Sequence, residues 1–165
     1  MKIDATDAIE PYMHMLLKLL TRPPHAIGLI IPGFKQDHDI VYPEPYGALF
    51  SLAIRVYMFW RNTYVTIAPI INGDALRIIG YVVAFTMFNI EKDNQHYMFT
   101  MAYVVTEKPL RFKVGKEEKE SIVDEKLLNA LHTLHSLAVA LRWIEDSGLI
   151  GLLMKPTKLT KDPAE

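Results

Sequence analysis

From Thr63 to Thr106 the residue pattern has a period of two: "TYVTIAPII", "ALRIIGYVVAFTMFNI" and "HYMFTMAYVVT", separated by "NGD" and "EKDNQ". β-Branched and aromatic residues at that period, interrupted only by turn formers, predict an antiparallel meander of three strands over 63–106. No other stretch constrains the fold as much, because a meander needs further strands or helices to bury its apolar surface. Asn72 and Gly73 both accept positive φ and predict a tight turn that sets the register of the first hairpin. Pro69 has no N–H to give a ladder, so its strand belongs at the sheet edge or is bulged there. Gly80 marks a bulge in the long middle strand.

Along the two inner strands, Tyr81, Val83, Phe85, Met87, Tyr97, Phe99, Met101 and Tyr103 share one bulky face. Ala84, Thr86, Thr100 and Ala102 share a slimmer one. Neither is polar enough to meet water, so the rest of the chain has to supply two covers.

Asp7 followed by Glu10 has the capping-box spacing, and Ile9, Met13, Leu16, Leu17 and Leu20 recur at helical intervals, which predicts a first helix over 7–20. The two prolines of "TRPPH" end it. "AIGLIIPGFKQDHDIVYPEP" reads as a ragged hairpin. In "PEPYGALFSLAIRVYMFWRN", Tyr46, Phe50, Ala53, Ile54 and Tyr57 fall on one helical face and Leu52, Val56 and Phe59 on the opposite one. That predicts a buried middle helix over 45–61. "PLRFKVG" alternates as a half-exposed strand. "KEEKES" then opens a long C-terminal helix, with Glu117, Glu118 and Glu120 at its positive end and Gly148 beyond its C-terminus. Its core stripe is Val123, Leu127, Leu131, Leu134, Leu137, Ala138 and Leu141.

The expected fold is α+β, an antiparallel sheet of about five strands in the order α-β-β-α-β-β-β-α. That order resembles GAF-like, profilin-like and roadblock-like sandwiches, in which the second helix covers one face of the sheet and the terminal helices the other. No residue motif accompanies the resemblance, so it implies no family. The competing layout is hotdog-like, a sheet wrapped around a buried central helix. Either way 1–154 reads as a single α+β domain, followed by a flexible tail over 155–165, where prolines and lysines leave little to bury.

Composition narrows the function classes. A net charge of −1 gives no global field to gather nucleic acid or acidic lipid, so a nucleic-acid partner is not expected. The absence of cysteine excludes disulfides, thiolate metal sites and cysteine nucleophiles, and makes the cytoplasm the expected location. The opening residues carry acids where a secretory signal needs a basic start, so none is expected. The longest uncharged runs are about fifteen residues, short of the ~20 a membrane-spanning helix requires.

Several constellations invite chemistry. His132 and His135, three apart on the last helix, are candidate metal ligands, but the glutamate of an HExxH site is missing and no third ligand is in view. The same sector carries Leu128, Val139, Arg142 and Trp143, a mixture without lysine or glutamate that resembles a protein interface. His38 between Asp37 and Asp39, with Glu44 nearby, is the candidate acid–base group ahead of the expected buried helix. Ser51 lacks a glycine elbow. Lys108, Arg111, Lys113 and Lys116 around Phe112 form the best basic patch, and a charged edge strand accounts for it. No glycine-rich phosphate loop occurs, and no cofactor is expected. With 50% hydrophobic residues and no clearly wet sheet face, the excess apolar surface predicts a homodimeric, non-enzymatic interaction module acting as an adaptor or regulator. The alternatives are a hotdog-type acyl-thioester enzyme and a GAF- or PAS-like small-molecule sensor.

Overall fold

A computed structural model of the chain describes residues 5–30, 40–58, 63–92 and 95–146. The described residues form an α+β structure in which a curved antiparallel sheet, a half-barrel, carries two helices. The meander stands at its centre: β5 (Thr63–Asn72), β6 (Arg77–Lys92) and β7 (Gln95–Thr106) pair in that order. β1 (Ala26–Ile30) adds to the free side of β7. β3 (Tyr46–Ala48) and β4 (Ile54–Met58) share the free side of β5. A second, small sheet has the order β2 (Ile40–Val41), β8 (Arg111–Val114), β9 (Glu117–Glu120). The helices are α1 (Ala5–Leu19) and α2 (Glu125–Asp146).

Pro69 shows how the proline is accommodated. β3 pairs up to Ala48 with Ile70 and β4 resumes at Ile54 with Ile67, so Pro69 faces the gap between them. Its carbonyl turns to that side and accepts the Leu49 N–H at 2.8 Å. The N–H it lacks would point the same way, where no strand asks for it. Across β6, Ile70 pairs with Gly80 but Ile71 with Ile78, leaving Ile79 as the extra residue of a bulge. A Cβ on Gly80 would lie 2.2 Å from the Val105 carbonyl oxygen, so glycine is required there by close approach of β7.

Four sequence expectations change. The buried middle helix over 45–61 is absent: the described part of that segment is β3, a single 3-10 turn at Phe50–Leu52, and β4. The two apparent helical faces do not correspond to the sheet's faces: Ile54 and Val56, expected on opposite sides, both pack on the bulky face, and Phe50 and Leu52 are exposed on the turn. With that helix gone, neither the expected element order nor the central helix of a hotdog is present, and both helices lie on one face of the sheet. "AIGLIIPGFKQDHDIVYPEP" is not a hairpin, since β1 joins β7 and β2 joins β8. "KEEKES" does not open the last helix. It is β9, turned back on β8 through Gly115 at φ 61°, with Lys113 opposite Glu118 and Arg111 opposite Glu120. α2 starts later, where Asp124 Oδ1 accepts the Leu127 N–H at 3.1 Å as an N-cap. Finally, the β5–β6 turn is longer than a two-residue hairpin. Asn72 acts by its side chain, Oδ1 accepting from the Asp74 and Ala75 amides at 3.0 and 3.4 Å, and the positive φ falls at Leu76.

The bulky face of the sheet takes both helices. Val65, Ile67, Tyr81, Val83, Phe85, Tyr103 and Val105 pack with Ile54 and Val56 against Leu16 and Leu19 of α1 and Leu127, Leu131, Leu134 and Ala138 of α2. The expected α2 stripe is thus buried at those four positions, whereas Val123 precedes the helix and is exposed. The slim face, Ala26, Ala68, Val82, Ala102 and Val104, is covered by the small sheet through Leu110 and Phe112. Small residues are needed there because a second sheet must come close.

Candidate functional site

The polar group with the most unusual surroundings lies between β6 and α2. Tyr81, in the middle of the sheet, is only 1% exposed, and its hydroxyl is 2.8 Å from His132 Nδ1. Its ring meets His132 edge-on at 5.1 Å and lies tilted against His135 at 5.5 Å. His135 Nε2 lies 2.8 Å from the Leu52 carbonyl oxygen, and a carbonyl only accepts, so that nitrogen carries a proton.

Burial pushes the Tyr81 phenol up to about 12, so it keeps its proton. Burial also lowers His132, the Glu107 carboxylate raises it in part, and His135 lowers it again. A phenol that keeps its proton beside an imidazole held neutral makes Tyr81 the donor and His132 Nδ1 the acceptor. The pair therefore satisfies a buried hydroxyl, which would otherwise cost about 1–3 kcal/mol.

His132 and His135 are the two metal candidates of α2. Each spends a ring nitrogen on a protein partner, and among the described residues no group of three or more His, Cys, Asp or Glu could hold an ion. Of the candidate acid–base residues, Glu44 is exposed in the turn before β3, while His38 and Asp39 lie outside the described residues. Ser51 is exposed on the Phe50–Leu52 turn. The basic residues Arg111 and Lys113 face Glu120 and Glu118 across the β8–β9 hairpin, which cancels the patch. β8 is the middle strand of its sheet, so the charged edge strand is β9.

The six residues of the expected contact sector separate. Leu128 and His135 are buried by this chain's own sheet and the loop ahead of β4. His132 is half-buried on Tyr81. Val139, one turn beyond His135, is 42% exposed. Arg142 and Trp143 continue α2, with side chains outside the described set. What the sequence did not single out is the neighbour of this sector: Phe50 and Leu52 are 63% and 46% exposed beside His135. Along α2 the outward positions Asn129, Thr133, Ser136, Val139 and Ala140 are exposed and uncharged. The signal for the α2 positions lay in the long uncharged run of the last helix, whereas none marked Phe50 and Leu52.

Compared with protein-family models, curated proteins and solved structures, the chain matches none of them. Among the described residues no helix is long and apolar enough to cross a membrane.

Proposed function

We propose that this chain is a non-enzymatic interaction module, an adaptor or regulator that works as a homodimer through the outer face of α2. One observation carries the reading: the exposed positions of α2 from Asn129 to Ala140 hold no charge, beside exposed Phe50 and Leu52. Helix faces that meet only water normally carry lysine and glutamate, as the first turn of α2 does with Glu125 and Lys126. Small uncharged residues let a second helix approach closely, and depletion of Lys and Glu is what the centre of an interface requires. The sensor alternative needs space between the sheet's aromatic face and the helices. Tyr81, Phe85 and Tyr103 are fully buried there, with Phe85 edge-on to Tyr103 at 5.9 Å, which favours the interaction reading over it.

Sedimentation velocity over a concentration series tests the homodimer. The expected outcome is a reversible rise toward twice the 18.9 kDa chain mass. Ser136→Arg and Val139→Asp, both exposed, are each expected to weaken association at least tenfold without altering the fold. A monomer at high concentration would end the reading.

A further inference from the structure

His25 follows the two prolines that end α1 and leads into β1. Its backbone N–H donates to the Ala102 carbonyl at 2.9 Å, which fixes it on the edge of β7. Its ring then does something different. Nδ1 accepts the Val104 N–H at 2.9 Å, and the ring is also hydrogen-bonded to the backbone of Glu120 on β9. Phe112 of β8 meets the imidazole edge-on at 5.1 Å and Tyr103 of β7 at 6.4 Å. One imidazole thus joins the main sheet to two strands of the small one.

The partners dictate the protonation state. A backbone N–H can only donate, so Nδ1 must present a lone pair to Val104. A second proton on the ring would set N–H against N–H. The other bonded histidines escape this conflict. Tyr81 can turn its hydroxyl and accept from a charged His132, and His135 donates to Leu52 in either state.

The groups facing the ring weigh against a charge on balance, burial and Lys119 outweighing the hydrogen bond to the Glu120 backbone, which favours it. From β9 come Lys119, which opposes it, and the Glu120 backbone. From β7 and β8 come the uncharged rings of Tyr103 and Phe112. Arg22, just before it, is paired with Asp124 ahead of α2, and its carbonyl accepts the Tyr103 hydroxyl at 3.1 Å.

We propose that His25 is a proton-operated latch: neutral, it clips the β2–β8–β9 sheet to β7, and protonated, it releases that sheet and exposes Leu110, Phe112 and the slim face beneath. The sign follows from linkage. Burial lowers His25 from the ordinary imidazole range, so the folded state binds its proton less well than the open state does. The latch is therefore fully closed above about pH 6.5 and weakens as pH falls below it. It is independent of any homodimer through α2, which uses another face.

Hydrogen exchange of the full chain between pH 7.5 and 5, corrected for intrinsic rates, reads the latch directly. The opening constant reported by the Val104 and Phe112 amides is expected to rise by up to about tenfold per pH unit below 6.5, the limit for one linked proton. The Leu131 amide in α2 stays protected. His25→Gln keeps an acceptor and a donor but takes no charge, so its profile is expected to be flat. His14→Gln, on the exposed side of α1, keeps the wild-type profile. A flat wild-type profile, or the same slope in His25→Gln, would overturn the proposal. Should His25→Gln fail to fold, the ring 15N shifts of the wild-type protein decide. An unprotonated Nδ1 at pH 7.5 is expected, and a protonated one overturns the latch.

Discussion

The two faces of the sheet are closed by different physics. The bulky face is sealed by area: Tyr81, Phe85 and Tyr103 from the strands interlock with leucines of α1 and α2. The slim face is sealed by registration. Its alanines and valines offer little area, and its cover is a small three-stranded sheet held by placed hydrogen bonds as much as by Phe112. Those bonds form a directed chain. Thr106 Oγ1 donates to the Lys108 carbonyl at 2.6 Å, so the proton between Thr106 and Ser121, 2.5 Å apart, belongs to Ser121. Ser121 Oγ in turn accepts the Leu110 N–H at 2.9 Å. A face sealed by area fails with the whole fold, whereas a face sealed by a few placed bonds can open on its own.

Phe85→Ala gives the largest expected effect. Phe85 is fully buried between Tyr103 and the helices, and its removal leaves a cavity as well as losing transfer energy. Chemical denaturation is expected to show a loss of about 3–5 kcal/mol in a single transition for both faces. Two separated transitions would break the claim that this side is the global core.

Ser121→Ala examines the other face. It strands the buried Leu110 N–H, which should cost about 1–3 kcal/mol. The loss is expected in the exchange of Leu110 and the β8–β9 amides, while α2 amides keep the wild-type protection. Equal loss across both faces would show that the small sheet is no separate cooperative unit.

The contrast also explains what could be read in advance. The meander and the bulge beside Gly80 were legible because period-two patterning and the special needs of glycine are local, whereas the strand of Pro69 is not at the sheet edge and is open only at the gap between β3 and β4. The α2 stripe of Leu127, Leu131, Leu134 and Ala138 was legible for the same reason. β3 and β4 were not, since Tyr46, Phe50, Ala53, Ile54 and Tyr57 happen to fit a helical face as well as two strands crossed by a turn. Arg55 between Ile54 and Val56, and Gly47 after Pro45, were the cues for strands. β9 was hidden because four charged residues look like a helix start until the opposing charges of β8 are set beside them. The histidine site was half legible. His132 and His135 stood out, but Tyr81, Leu52 and the whole role of His25 depend on contacts between residues some fifty to eighty positions apart, which no spacing encodes.

Tyr81→Phe has the smallest expected effect and sharpens the comparison most finely, because it removes one bond from the face sealed by area. Among the described residues the hydroxyl is bound through His132, which is half-buried and can turn to water, so the loss should be about 0.5–1.5 kcal/mol near pH 7. Alkaline pH then separates bond from burial. The folded phenol ionises at about 12 against 10 in the unfolded chain, so its contribution is complete below pH 10 and is lost as pH rises from there toward 12. Wild-type stability should therefore fall more steeply than that of Tyr81→Phe across this range. Parallel curves would mean that the folded site tolerates the phenolate, and that the face is less tightly closed than Tyr81 at 1% exposure implies.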